Sequence, residues 1–193
     1  MLKKKKGFNI SNIKIKNHKR FIIFILLALF LCVTPMIYFY FKQDNFQEKK
    51  SRGMESLSKG DFEEAIENFD QIKSKDEDVL FNLAVSHYNK KNYEKAEYFY
   101  EEILKQDPKN VLAYNGIGNM YRDKKNYEKA RENYEKAISV KPNFIASYSN
   151  LAMMLLNNEK KEEASAVLEK GLENNADSSG SEKLKKLLML IKN

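Results

Sequence analysis

The sequence predicts an all-α protein, a solenoid of about four helical hairpins closed by a C-terminal capping helix and preceded by a single apolar helix. Three observations predict it. Ala96, Ala130 and Ala164 stand 34 residues apart, and the heptapeptide KKNYEKA occurs at Lys90 to Ala96 and again at Lys124 to Ala130. A period near 34 marks helical hairpins stacked side by side. The 193 residues include only 7 glycines and 3 prolines, which suits an all-helical chain because both residues are poor in helix interiors. Finally, Phe21 to Phe41 carries no charged residue.

The chain opens on Met1 to Arg20, which holds Lys3, Lys4, Lys5, Lys6, Lys14, Lys16, Lys19 and Arg20 and no acid. This segment is expected to be a disordered cytoplasmic tail. It accounts for the whole excess in the net charge of +7, so the remainder of the chain is close to neutral. A basic flank beside an apolar run reads as a topogenic signal, and nucleic acid is not an expected partner.

Phe21 to Phe41, FIIFILLALFLCVTPMIYFYF, is expected to be a transmembrane helix, with Phe21, Leu26, Leu31, Pro35 and Phe41 marking the anchor. At 1.5 Å per residue such a helix spans roughly 31 Å, about the thickness of a hydrocarbon core. Leu29, Phe30 and Leu31 are too bulky for a processing site before Cys32, so the anchor is read as uncleaved and the lipid bilayer as its partner. Pro35 is expected to kink it. The excess of Lys and Arg before the span places the N-terminus in the cytoplasm and the repeats on the extracytoplasmic side, a bacterial inner membrane being the expected setting.

The repeats occupy 45–176, divided at about 45–76, 77–110, 111–144 and 145–176. In the third, Tyr114, Ile117, Gly118 and Tyr121 and then Ala130, Tyr134 and Ala137 give each half the spacing of an amphipathic helix. Asp123 to Asn126 breaks the pattern, with Asn126 placed to cap the second helix, and Pro142 ends the module. In the first repeat Ala65 lies only 31 residues before Ala96, which predicts a shortened connecting loop. Gly118 and Ala130 are expected where helices cross closely. After the fourth repeat, 174–181 reads as a loop and 182–192 as the capping helix, with Leu184, Leu187, Leu188 and Ile191 on one face. Met189 and Leu190 widen that apolar run, which leaves a homodimer contact as a second reading of this helix.

The offsets of aromatic, Leu-Gly, Tyr, Ala, Phe and Pro resemble those of the tetratricopeptide repeat family. The third repeat fills them with Tyr114, Ile117-Gly118, Tyr121, Ala130, Tyr134 and Pro142, and the second with Leu80, Leu83-Ala84, His87, Ala96, Tyr100 and Pro108. The fourth keeps Tyr148, Leu151-Ala152, Leu155, Ala164 and Leu168 but has Ala176 in place of proline. The resemblance implies a concave groove lined by the first helix of each repeat, here Phe81, Asn82, Val85, Asn89, Asn115, Asn119, Asp123, Ser149, Asn150, Met153 and Asn157. Amides offer donors and an acceptor, so such a row suits the backbone of an extended peptide; the plainer reading is that the chain is rich in Asn throughout. Lys50 and Asn82 match the family's carboxylate-binding members in part, whereas Met54, Leu112 and Gly116 do not.

No constellation of catalytic residues emerges. His18 lies in the basic tail, His87 falls at a core position, the single Cys32 sits in the apolar run, and no phosphate loop or nucleophile elbow is present. No cofactor or metal is expected, and an enzyme is only a residual reading. The sequence therefore points to a membrane-anchored scaffold or adaptor that holds protein partners or extended segments in assembly, secretion or chaperone-like support. The alternative is an organellar import receptor, resembling those of the mitochondrial outer membrane, with cytosolic repeats.

Overall fold

The computed structural model describes residues 10–73, 75–175 and 180–192; at 10–25, 28, 40–42 and 44 it describes the backbone alone. The elements are α1 (Ile10–Lys59), α2 (Phe62–Asp70), α3 (Glu77–Asn89), α4 (Tyr93–Gln106), α5 (Val111–Asp123), α6 (Tyr127–Val140), α7 (Ile145–Asn157), α8 (Lys161–Glu173) and α9 (Ser181–Lys192). The described residues contain helices and turns and no strand. Two compact units divide the chain, residues 1–48 and residues 49–193.

The first unit corrects two expectations. The helix begins at Ile10, so 10–20 is helical rather than a disordered tail; no Gly or Pro interrupts the chain between Ile10 and Thr34, and extending a formed helix is far easier than starting one. Residues 1–9 lie outside the described residues. More consequentially, among the described residues no helix is long and apolar enough to cross a membrane. The side chains described in the apolar run extend from Leu26 to Phe39. Leu26, Leu31 and Pro35 are exposed, Pro35 lies inside the helix, and the side chains of Phe21 and Phe41 lie outside the described residues. The expected placement, with a cytoplasmic N-terminus and extracytoplasmic repeats at a bacterial inner membrane, is overturned. The import-receptor alternative, which needs the same anchor, loses its support with it.

The second unit follows the sequence closely. Asp61, Asp76, Asn110 and Asn126 each accept a hydrogen bond from a backbone N–H three residues on, capping α2, α3, α5 and α6. Such a cap contributes about 1 kcal/mol. The turn between the two helices of every hairpin carries one left-handed residue, Gly60 (φ 78°), Lys91 (φ 59°), Lys125 (φ 59°) and Glu159 (φ 60°). The register of Ala65, Ala96, Ala130 and Ala164 is equally regular, for all four are fully buried.

Close approach of the two helices depends on small residues in the first one. A Cβ at Gly118 would stand 2.6 Å from Cε1 of Tyr134, and one at Gly53 would stand 2.7 Å from Cζ of Phe69. Tyr134 and Phe69 are fully buried, and burying a ring of this kind contributes about 1.5–3 kcal/mol. The first repeat is short because its second helix is short, not because its loop is. Helix α2 has 9 residues where α4 and α6 have 14, and the following connection, 71–76, is longer than 107–110. Fully buried Phe69 and nearly buried Ile72 close this end, while Lys75 donates to the carbonyl oxygens of Phe69 (2.8 Å) and Asp70 (3.3 Å).

Candidate functional site

The first helices α3, α5 and α7 bury one side against the second helices and leave another side open. On the open side lie half-buried Phe81, Asn82, Val85, Asn115, Asn119 and Asn150 and exposed Asn89, Asp123, Met153 and Asn157. Ser149 differs. It is fully buried, and its hydroxyl donates to the Ile145 carbonyl within its own helix, so it offers nothing to a ligand.

Hydrogen bonds tie these positions into one surface. Asn115 Oδ1 on α5 accepts from Ser147 Oγ and from Asn150 Nδ2 on α7, both at 3.1 Å. Asn119 Oδ1 accepts from the Tyr134 hydroxyl at 2.8 Å and from an Arg122 guanidinium nitrogen at 3.4 Å. Guanidinium can only donate, which fixes the Asn119 amide with its oxygen inward. Tyr88 on α3 donates to Asp123 Oδ2 at 2.5 Å, and Arg122 pairs with the other oxygen of Asp123 at 2.9 Å. Partial burial, followed by the bond to Asp123, pushes the Tyr88 phenol up to about 12.

Two consequences follow for the chemistry of the face. Its charges are matched in place, Lys50 with Asp78 at 2.8 Å and Arg122 with Asp123, so the central surface is close to neutral. Its amides are oriented, because the acceptor oxygens of Asn115 and Asn119 are used by neighbouring repeats while neither Nδ2 has a protein partner among the described residues. The sequence placed these asparagines on the open side. It did not show that Ser147, Tyr134 and Arg122 hold them or that Tyr88 holds Asp123, because each of those partners stands on another helix or one turn away. The 34-residue period carries part of that signal, since Tyr88 and Arg122 occupy equivalent positions in consecutive repeats.

Of the remaining polar residues, His87 is 4% exposed and stacks on Phe99 with ring centroids 5.6 Å apart. Its Nδ1 is buried without a partner among the described residues. Burial, then the charge of Lys95, holds its pKa below the usual histidine value, with Asp70 opposing. Among the described residues no group of His, Cys, Asp and Glu has the arrangement of a metal site. An open cleft of about 480 Å³ lies between α6, α7 and α8, floored by Tyr148, Leu151 and Val167.

Among solved structures, the fold resembles MamA, at 23% identity and a TM-score of 0.60 over 74% of this chain and 81% of that one. It also resembles the Yersinia enterocolitica type III secretion translocator chaperone SycD, at 22% identity and 0.55 over 63% of this chain and 96% of that one. A third likeness is the TPR2B domain of yeast Sti1, solved as a pHsp70 complex, at 18% identity and 0.54 over 62% of this chain and 98% of that one. No curated protein matches the sequence. Family models described as tetratricopeptide repeat match residues 77–110, 111–144 and 144–173. These matches run without a break over just over half of the sequence, and the chain belongs to the tetratricopeptide repeat family.

Proposed function

We propose that this chain is a scaffold that holds an extended segment of a protein partner along the open side of α3, α5 and α7, in assembly or chaperone-like support. The observation that carries the reading is the orientation of Asn115 and Asn119, whose oxygens are held inward and whose Nδ2 donors face out. The two residues are one turn apart, about 6 Å along the helix axis. Carbonyls on one edge of an extended strand recur about every 6.6–6.8 Å, so the two donors match alternate carbonyls of a segment lying along α5. Recognition of this kind reads backbone rather than side chain, and Val85 and Met153 flank it with apolar contact. Affinity on the order of micromolar, about −8 kcal/mol, is expected for such a segment. The likeness to Sti1, solved with an Hsp70 partner, and to SycD, a translocator chaperone, supports a binding role over an enzymatic one, as does family membership, since repeats of this family are generally interaction modules.

The test is in-cell photocrosslinking from residues placed at Asn82, Asn119 and Asn150, with the Asn82 and Asn150 sites repeated in a chain carrying Asn115→Ala and Asn119→Ala. Capture of one protein from all three sites, weakened at Asn82 and Asn150 by the double substitution with helicity unchanged, is the expected result. Undiminished capture in the double variant would leave these asparagines as composition alone.

A further inference from the structure

Helix α9 keeps the register of a repeat's first helix. Leu184, fully buried, stands 33 residues after Leu151, which follows Ile117 and Leu83 at intervals of 34. It packs on α8 and α7, the same two kinds of neighbour that α7 finds in α6 and α5. A Cβ at Gly171 on α8 would stand 2.9 Å from Leu184 Cδ1 and 2.9 Å from Tyr148 Cγ, so the contact is as close as within the repeats. Lys185 occupies the place of Ala84, Gly118 and Ala152, the small residues that admit a second helix in the repeats.

In this register Lys186 corresponds to Val85, Asn119 and Met153, and Leu190 to Asn89, Asp123 and Asn157, all on the open side. Lys183 and Met189 lie beside them, corresponding to Asn150 and Leu156. Met189 and Leu190 are 63% and 77% exposed, more than Met153, the exposed apolar residue of the central face, at 45%. The four basic residues of α9 divide into two kinds. Lys185 pairs with Glu182 at 3.0 Å and Lys192 with Glu169 at 2.9 Å, whereas Lys183 and Lys186 have no carboxylate partner among the described residues.

We infer that α9 extends the binding face with an apolar and cationic subsite, Lys183, Lys186, Met189 and Leu190, that receives an acidic stretch of the bound segment bearing apolar side chains. The inference rests on the function proposed above and adds a preference to it, since the central face is neutral and this end is not. A second copy is the poorer occupant, because α9 laid on α9 would bring unpaired lysines together and like charges at close range repel.

The probes are three nine-residue fluorescent peptides in which leucine alternates with Asp, Asn or Lys, titrated by anisotropy against the purified full chain at low and high salt. At low salt the Asp peptide should bind at least tenfold more tightly than the Lys peptide, and the difference should shrink as salt screens it. Lys183→Glu with Lys186→Glu should abolish or reverse the order, and Met189→Gln with Leu190→Asn should weaken the Asp and Asn peptides together. Asn115→Ala with Asn119→Ala should weaken all three peptides equally, which reads the underlying face separately. Equal binding of the Asp and Lys peptides, or a preference that survives the double lysine variant, overturns the subsite and leaves the central face standing. Loss of the preference with no effect of the asparagine variant sustains the subsite and sinks the central face. Phosphatidylserine vesicles that outcompete the Asp peptide through the same lysines would reassign the patch to lipid. A concentration-dependent dimer abolished by Leu190→Asn, with peptide binding unchanged, would reassign it to a second copy.

Discussion

Tyr88 on the first helix of one repeat donates its hydroxyl to Asp123 at the end of the first helix of the next, at 2.5 Å. The acid that the sequence placed among ligand-facing residues is therefore also a strut between repeats. Arg122 completes the arrangement, bonding to Asp123 at 3.0 Å through Nε and approaching the Tyr88 hydroxyl at 3.4 Å. In a solenoid each repeat is stabilised chiefly by its neighbours, so a bond that crosses the interval acts on cooperativity as well as on local stability. Tyr88→Phe removes one charge-assisted hydrogen bond and should destabilise the chain by roughly 1.5–3 kcal/mol. Urea unfolding followed by circular dichroism checks this. Asp123→Asn, which keeps an acceptor, should cost less than Tyr88→Phe, and the reverse order would show that Arg122 rather than Tyr88 is the partner that matters.

The contact between Gly118 and Tyr134 sets a second expectation. The ring of Tyr134 is fully buried and lies where a methyl group at 118 would have to go, 2.6 Å from Cε1. The ring is also held by its hydroxyl, which donates to Asn119, so it has little freedom to withdraw. Gly118→Ala should gain the usual helical preference for alanine, about 1 kcal/mol, and lose more than that to overpacking, about 1–3 kcal/mol. A lower thermal midpoint is expected, accompanied by weaker peptide binding because Asn119 moves with Tyr134. A midpoint that rises would mean the two helices can part at no cost.

The turn residues give a stabilising prediction. Lys91, Lys125 and Glu159 hold φ near +60°, a conformation that costs an L-residue roughly 1–2 kcal/mol, while Gly60 takes the same place in the first repeat. Glycine relieves that strain but gives back part of the gain through the entropy of the unfolded chain. Lys125→Gly should therefore raise stability by roughly 0.5–1 kcal/mol, readable as a shift of the urea midpoint at unchanged slope. No gain would show that the lysine is not strained there.

These cases mark what could be read in the sequence and what could not. Periodicity located the hairpins, and the capping residue Asn126 and the small residues Gly118 and Ala130 announced themselves, because each acts within its own repeat or at a fixed offset. The left-handed turn at Lys91 and Lys125 was hidden, since lysine carries no mark of positive φ and only Gly60 hinted at it. The shortening of α2 was visible as a register slip of Ala65 but was assigned to the loop, because spacing counts residues without saying which of them are helical. The struts Tyr88 to Asp123 and Asn115 to Ser147 join residues more than thirty positions apart and required the stacked repeats to be seen. The uncharged run at Phe21 to Phe41 and its basic flank suggested a membrane span, whereas among the described residues no helix is long and apolar enough to cross a membrane.

His87 yields the last prediction, one of pH. It occupies the place held by Tyr121 and Leu155 in the following repeats, packed on Phe99 with an unpartnered Nδ1. The charges that act on it come from Lys95 on α4 and Asp70 at the end of α2, and Lys75 already sits near Asp70, at 3.7 Å. Burial and Lys95 outweigh Asp70, so the pKa of His87 in the folded chain lies below its unfolded value near 6.5. A base of this kind binds fewer protons folded than unfolded. Its contribution to stability is therefore complete above pH 6.5 and declines as the pH falls below that value toward the folded pKa. The thermal midpoint should drop between pH 7 and pH 5, and in His87→Phe, which keeps the stack on Phe99 without a titrating group, the drop should be smaller. The loss should begin at α2, because Asp70 and Lys75 are the groups that must rearrange to accommodate an imidazolium. Hydrogen exchange at pH 5 would then show the amides of α2 and α3 opening ahead of those of α5 to α8, and uniform opening along the repeats would place the acid-sensitive group elsewhere.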